Sequence, residues 1–151
     1  MSTLERAIAI AAEAHAGAVD KAGAPYILHP IRVMLGVSTA AERIVAILHD
    51  VVEDSVWTFD ALRAEGFSEE IIGGLESVTK RDEDEPYDEF VARAAANPIG
   101  KQVKLADLKD NLDLSRLSNP TKKDLVRTEK YRRAVEFITA FGKAPGQSDL
   151  S

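Results

Sequence analysis

The chain has 151 residues, of which 45% are hydrophobic and 29% are charged. That length and composition suit one globular domain with a buried core and exclude a disordered or fibrous chain. The 25 acidic residues outnumber the 19 lysines and arginines, so the net charge of −6 argues against a nucleic acid as the main partner. The absence of cysteine excludes disulfides, thiolate metal sites and a cysteine nucleophile.

Helix signals recur along the chain, and few segments have the alternation that is typical of strands. Charged residues interrupt the apolar runs, including the one nearest the N-terminus, so we expect neither a signal peptide nor a membrane span and place the protein in the cytoplasm. Apolar periodicity, caps and breakers predict helices over 3–19, 28–37, 40–54, 58–65, 69–79, 87–96, 98–116 and 122–141. We therefore predict one all-α domain of seven or eight helices over residues 1–141, followed by a flexible tail over 142–151.

The predicted helix over 40–54 combines an apolar pattern with a dense group of polar side chains. Its apolar residues surround most of the helix, which is typical of a buried helix. Spacings of four residues place its polar groups in two neighbouring rows on one side: His49, Asp50, Glu53 and Asp54. Carboxylates this close repel each other, and burying them without a partner is costly, so a bound cation is the favoured explanation. The alternative is a helix end in water, which the helix dipole disfavours.

Two further segments offer similar groups. In the stretch 101–114, Lys104, Asp107 and Asn111 share one stripe of a predicted helix, although such a stripe also suits an ordinary exposed face. His29 directly precedes Pro30, a residue that favours helix starts. Together the segments supply two imidazoles and two carboxylates, a mixed set that suits Mn²⁺, Fe²⁺, Co²⁺ or Zn²⁺ better than Mg²⁺ or Ca²⁺. These four candidate ligands are His29, His49, Asp50 and Asp107.

Three sequence segments resemble, in order and spacing, the motifs of the HD-domain alarmone hydrolases. They are HAGAVDKAGAPYILHP, ILHDVVED and VKLADLKDN, and the resemblance extends from about residue 4 to residue 140. That family comprises the hydrolase half of the Rel/Spo (p)ppGpp enzymes and the small alarmone hydrolases. The resemblance implies an all-helical HD fold with one Mn²⁺ bound by His29, His49, Asp50 and Asp107.

The resemblance also implies a reaction, the release of pyrophosphate from the ribose 3′ position of (p)ppGpp. In that reaction Glu53 and Asp54 would position or deprotonate the attacking water, as catalytic residues. We expect the substrate to be bound by Lys21, Tyr26, Lys104 and Asn111. The two lysines would neutralise charge that develops on the phosphoryl oxygens, although a solvated surface position is an equal alternative for Lys104.

Two acids depart from the family pattern. Asp20 stands before Lys21 where the family usually has an arginine, and Asp110 stands where an aromatic residue or histidine usually precedes the asparagine. Both acids should disfavour a guanine nucleotide with two pyrophosphates, so two alternatives stay open. One is an HD phosphohydrolase for another nucleotide phosphate, such as a nucleoside monophosphate or NADPH, and the other is a domain that senses a nucleotide without cleaving it. In each case the expected partner is a small nucleotide and neither nucleic acid nor membrane, whereas the oligomeric state is left open.

Overall fold

A computed structural model describes residues 2–141 as a bundle of helices joined by short loops. Within that range the only β-type pairing is an isolated bridge between Val19 and Pro25, so the all-α prediction is confirmed. The predicted tail over 142–151 lies outside the described residues. The helices are α1 (Leu4–Ala14), α2 (Leu28–Leu35), α3 (Ala40–Leu48), α4 (Val51–Asp54), α5 (Phe59–Ala64), α6 (Glu69–Ser77), α7 (Tyr87–Ala96), α8 (Pro98–Leu112) and α9 (Lys122–Ala140).

The predicted helix over 40–54 is divided in the structure. It begins as predicted, with a capping box. The side chain of Thr39 accepts the backbone N–H of Glu42, and the side chain of Glu42 accepts the backbone N–H of Thr39. It then ends at Leu48, because the backbone N–H of His49 binds the carbonyl oxygen of Ala46, three residues back, and this tightens the last turn. The single turn α4 resumes two residues later. The prediction of one continuous helix is therefore wrong, and the described helices number nine.

Two other helices end several residues before their predicted limits. Helix α1 ends at Ala14, before the predicted limit of 19, because the chain turns at Gly17, which has a φ of +83°. Helix α8 ends at Leu112 rather than at 116, because Asp113 is extended and its carboxylate accepts the backbone N–H of Ser115 at 3.0 Å. Among residues 2–141, no helix combines the length and the apolar composition that a crossing of the bilayer requires.

The buried apolar residues form two hydrophobic clusters. The larger cluster joins α1, α2, α3, α6 and the first half of α8, with Val103 as the buried contribution of α8. The smaller cluster joins α7, α8 and α9 through five buried residues: Val91, Ala95, Leu108, Ala134 and Ile138. Helix α8 is therefore flanked on both sides, and this position also buries its polar residues Lys104 and Asp107.

Helices α6 and α8 approach most closely at Gly100. A Cβ atom built at this position would lie 1.9 Å from the hydroxyl oxygen of Ser77 and 3.2 Å from the carbonyl oxygen of Ala94. The Ser77 hydroxyl is held in place because it donates to the carbonyl oxygen of Gly74 at 2.6 Å. A side chain at this position would require the Ser77 hydroxyl to leave its hydrogen bond and the backbone near Ala94 to shift.

We expect Gly100→Ala to lower the free energy of unfolding by about 1–3 kcal/mol, since it overpacks the contact between α6 and α8. Gly73 in α6 provides the matched control, because a Cβ atom built there would have no neighbour within 4 Å outside its own helix backbone. Gly73→Ala should be neutral or stabilise the protein by up to about 1 kcal/mol through helix propensity. Urea denaturation of both variants measures the difference, and equal stabilities would contradict the close approach.

Candidate metal centre and its cavity

Two imidazoles and two carboxylates converge where α2, the α3–α4 turn and α8 meet. The Nε2 atom of His29 lies 2.9 Å from Oδ1 of Asp107. The Nε2 atom of His49 lies 3.2 Å from Oδ2 of Asp50 and 3.5 Å from Oδ1 of Asp107. One ligand atom each from His29, His49 and Asp50 lies within 4.8 Å of the other two. The structure thus gathers all four residues that the sequence proposes as metal ligands.

The hydrogen bonding of His49 fits a metal at this point. Its Nδ1 lies 2.6 Å from the carbonyl oxygen of Ala46, which only accepts, so Nδ1 carries the proton. Its Nε2 is buried and has no hydrogen-bond partner. An unpaired nitrogen in that position is costly, and a cation would use its lone pair. Two imidazole nitrogens with two carboxylates form a donor set that suits a divalent transition metal.

Both candidate carboxylate ligands are ionised at neutral pH. Burial alone would raise the pKa of Asp50, but the neighbouring imidazole of His49 outweighs it and lowers that pKa to about 2. Burial also opposes ionisation of Asp107, whereas the charge of Lys104 and the hydrogen bond from His29 hold its pKa well below the usual range. The charged form of each carboxylate is the one that binds a cation.

Three of the four expected substrate-binding residues touch these carboxylates. The hydroxyl of Tyr26 donates to Asp50. The ammonium group of Lys104 donates to Oδ2 of Asp107 at 3.0 Å, and the amide of Asn111 donates to Oδ1 of the same residue at 3.2 Å. Lys104 is buried, so the alternative of a solvated surface position is wrong for it. The fourth residue, Lys21, lies apart from them on the loop before α2, and its side chain is 61% exposed.

The two expected catalytic acids lie on α4, one turn beyond the candidate ligands. Glu53 accepts the backbone N–H of Lys80 at 2.6 Å, so the loop after α6 holds its carboxylate in place. Burial raises the pKa of Glu53 and of Asp54, and the charge of Asp50 raises both further. A carboxylate with a raised pKa is a stronger base at neutral pH. The sequence offers no sign of the Lys80 contact, because it joins segments 27 residues apart.

The two acids that depart from the family pattern have structural partners. Oδ1 of Asp20 accepts two backbone N–H groups of its own loop, at 2.9 and 3.0 Å, and so shapes the turn. Oδ2 of Asp110 lies 2.6 Å from Nδ1 of His29, and its Oδ1 lies 2.6 Å from Nε of Arg32. Asp110 is therefore paired and holds a candidate metal ligand, so Arg32 compensates its negative charge at the cavity wall.

A cavity of about 450 Å³, a volume within the range of small-molecule sites, is lined by three of the four candidate ligands: His29, Asp50 and Asp107. Its far wall is formed by the end of α8, the following loop and the first turns of α9. Arg116 and Arg127 in this wall are paired with Asp113 and Asp124, respectively. These arginines carry no local sequence signal, because only the fold brings them opposite the ligands. The cavity thus offers two guanidinium groups for phosphate groups, and the paired aspartates already compensate part of the positive charge of these arginines.

No protein-family model matches the chain, whereas several curated proteins contain a similar region. The chain is 29% identical, over 99% of its length, to a probable GTP pyrophosphokinase of Mycobacterium leprae. It is 32% identical over 72% of its length to a guanosine-3′,5′-bis(diphosphate) 3′-pyrophosphohydrolase of Aquifex aeolicus. It is 31% identical over 99% of its length to a bifunctional (p)ppGpp synthase/hydrolase of Mycobacterium tuberculosis. The chain spans about a fifth of the length of these relatives.

A solved structure has a similar arrangement of helices. It belongs to a metazoan ortholog of SpoT that is described as hydrolysing ppGpp, and the two chains superpose with a TM-score of 0.76. The superposition covers 95% of this chain and 89% of the other, at 24% sequence identity. At this level of identity the comparison establishes a common fold.

Proposed function

The chain belongs to the family of HD-domain alarmone hydrolases related to the Rel/Spo enzymes, and from this we propose that it releases pyrophosphate from the ribose 3′ position of (p)ppGpp in a metal-dependent reaction. One observation carries the proposal: two imidazoles and two ionised carboxylates converge beside a cavity that suits a small molecule. The geometry supports metal-assisted hydrolysis, and the relatives' names support the substrate.

The metal we propose is Mn²⁺, held by the same four residues, since a mixed nitrogen and oxygen donor set suits it. When bound, the ion would supply Lewis-acid activation of a water molecule and of a phosphoryl oxygen. Glu53 and Asp54 lie on α4, the single turn that follows Asp50, and their raised pKa values suit groups that accept the proton of the attacking water. Tyr26 holds Asp50 in orientation through its hydroxyl.

The substrate contacts follow from where the side chains lie. Lys21 lines the cavity with an exposed ammonium group, which suits a phosphate of the nucleotide. Tyr26 and Asn111 line the same cavity and have polar groups beside the ligands. Lys104 is fully engaged with Asp107, so we propose that it lowers the negative charge around the incoming phosphate through that carboxylate. We place this reaction in the cytoplasm, with a small nucleotide rather than a nucleic acid as partner.

The experiment is a nucleotide panel with purified protein and Mn²⁺, in which released pyrophosphate and phosphate are both measured. We expect GDP and pyrophosphate from ppGpp. Phosphate release from a nucleoside monophosphate or NADPH, with ppGpp left intact, would favour the other HD phosphohydrolase. Tight nucleotide binding without any release would favour the sensing domain. Full activity in excess chelator would contradict the metal-dependent mechanism.

We expect Asp20→Asn to lower KM for ppGpp about fivefold and to leave kcat unchanged. At about 6 Å and an effective dielectric near 20, repulsion between unit charges is on the order of 2–3 kcal/mol, and salt reduces it to about 1 kcal/mol. Asparagine keeps the side-chain oxygen that accepts the two loop N–H groups. Steady-state kinetics with ppGpp and with a singly phosphorylated 3′-nucleotide measures the effect. An unchanged ratio of the two kcat/KM values would show that Asp20 does not act on the phosphates.

A further inference from the structure

His29 differs from the other candidate ligands because a carboxylate contacts its second ring nitrogen. Its Nδ1 lies 2.6 Å from Oδ2 of Asp110, and both side chains are largely buried, with exposed fractions of 8% and 10%. An ionised carboxylate only accepts hydrogen bonds, so the Nδ1–H of His29 donates to it. This arrangement directs Nε2 of His29 toward Asp107 and the centre. His49, in contrast, is oriented by a neutral backbone carbonyl group.

Asp110 is itself held in place by arginine. Nε of Arg32 donates to its Oδ1 at 2.6 Å, and the terminal nitrogen donates to its Oδ2 at 3.1 Å, which makes a bidentate pair. Arg116 adds a weaker contact, at 3.6 Å from the same Oδ1. Arg32 and His29 lie one helical turn apart on α2, so Asp110 in α8 bridges two side chains of one neighbouring helix. The hydrogen bonds thus run from the guanidinium through the carboxylate to the imidazole.

We propose that Asp110 is a positioning residue for the metal centre, acting through His29, and that Arg32 holds Asp110 in the orientation this requires. The inference rests on the proposed metal-dependent function. A carboxylate that accepts the second N–H of a ligating imidazole fixes its tautomer and ring orientation and makes its other nitrogen more basic. At this position an acid therefore increases the affinity for the metal, although it also lines the cavity.

The alternative is that Asp110 merely pairs with Arg32 and contributes to the fold. The two roles differ in what they predict for the metal. A residue that only stabilises the fold changes the unfolding temperature and leaves the affinity of the folded protein for Mn²⁺ unchanged. A residue that positions His29 changes the affinity itself, and excess Mn²⁺ then restores turnover.

The test measures the dissociation constant of Mn²⁺ from the electron paramagnetic resonance signal of the free ion. Asp110→Ala should weaken binding about 10- to 100-fold. Asp110→Asn should give a smaller loss, because the amide can accept from His29 or face Arg32 but carries no charge. Asp113→Asn is the matched control: Asp113 also pairs with Arg116 but has no contact with His29, so its Mn²⁺ affinity should equal that of the wild type.

Arg32→Met tests the second half of the proposal. It should weaken Mn²⁺ binding by less than Asp110→Ala, and the double variant should bind no more weakly than Asp110→Ala alone, because both residues act through one bond to His29. If the losses of Mn²⁺ affinity in the two single variants add up in the double variant, the assigned role of Arg32 is overturned. Unchanged Mn²⁺ affinity in Asp110→Ala would overturn the role of Asp110.

Hydrolysis of ppGpp separates this proposal from the proposed function. We expect saturating Mn²⁺ to bring kcat of Asp110→Ala close to that of the wild type. A persistent deficit in kcat at full metal occupancy would overturn a role confined to the metal. Should Asp110→Ala fail to fold, as thermal unfolding would show, the Mn²⁺ affinity of Asp110→Asn decides, and wild-type affinity there overturns the proposal. A wild-type protein that binds Mn²⁺ but cleaves no nucleotide would refute the proposed function and leave the role of Asp110 intact.

Discussion

Asp50→Ala should abolish both metal binding and nucleotide hydrolysis. Asp50 supplies one of the two carboxylates, and it is ionised because His49 holds its pKa at about 2 against the effect of burial. Groups that only support metal ligands are worth 10- to 100-fold in affinity, so loss of a ligand should cost at least about 100-fold. Elemental analysis after mild purification and pyrophosphate release from ppGpp measure the two effects. His49→Ala should behave in the same way.

Asp60→Ala is the matched control for the loss of a carboxylate. Asp60 lies on α5 with a side chain that is 91% exposed, and it pairs with Arg63 rather than with any group of the centre. That variant should retain metal content and activity. An Asp50→Ala protein that keeps one equivalent of metal would show that Asp50 is not a ligand, and the proposed centre would have to be redrawn.

Glu53→Gln should keep the metal bound while lowering kcat about 10²- to 10⁴-fold, the usual contribution of a general base. The glutamine side chain retains an oxygen that can accept the backbone N–H of Lys80, so its position should change little. It cannot take a proton from water. Metal content and single-turnover kinetics at saturating ppGpp separate the two effects.

Glu70→Gln provides the comparison for this substitution, since Glu70 is an exposed residue in the first turn of α6. Its kcat should match that of the wild type. Loss of metal from Glu53→Gln would contradict the role of general base and would instead place Glu53 among the groups that hold the ion. An unchanged kcat with metal bound would transfer the role to Asp54.

The candidate ligands could be proposed from the sequence because their signal is local. Spacings of four residues set His49 and Asp50 beside the acids that follow, and buried acids without partners are rare. The break in the helix at these residues was not predictable in the same way, because the apolar pattern continues through it. It results from the backbone hydrogen bond between His49 and Ala46, which periodicity does not report.

The parts of the site that sequence analysis missed depend on contacts between distant segments. Asp110 looked unfavourable beside the expected phosphates, and only the packing of α2 against α8 shows that it binds His29. Lys104 was equally compatible with an exposed face, because α8 is covered on two sides and has no simple polar face. The contact between Glu53 and Lys80 is likewise set by how the loop after α6 returns to α4.

The two separate hydrophobic clusters give the protein an uneven distribution of local stability. Helix α9 packs through the smaller cluster of five buried residues, whereas α2 and α3 pack in the larger one. Helix α2 and the α3–α4 turn carry three of the candidate ligands: His29, His49 and Asp50. A segment with less buried apolar surface opens at a lower free energy than the global unfolding of the domain. Because α9 forms part of the cavity wall, we expect the cavity to widen through local opening of α9 while α2 and the α3–α4 turn stay folded. Access to the centre and the geometry of His29, His49 and Asp50 would then be controlled by different parts of the fold.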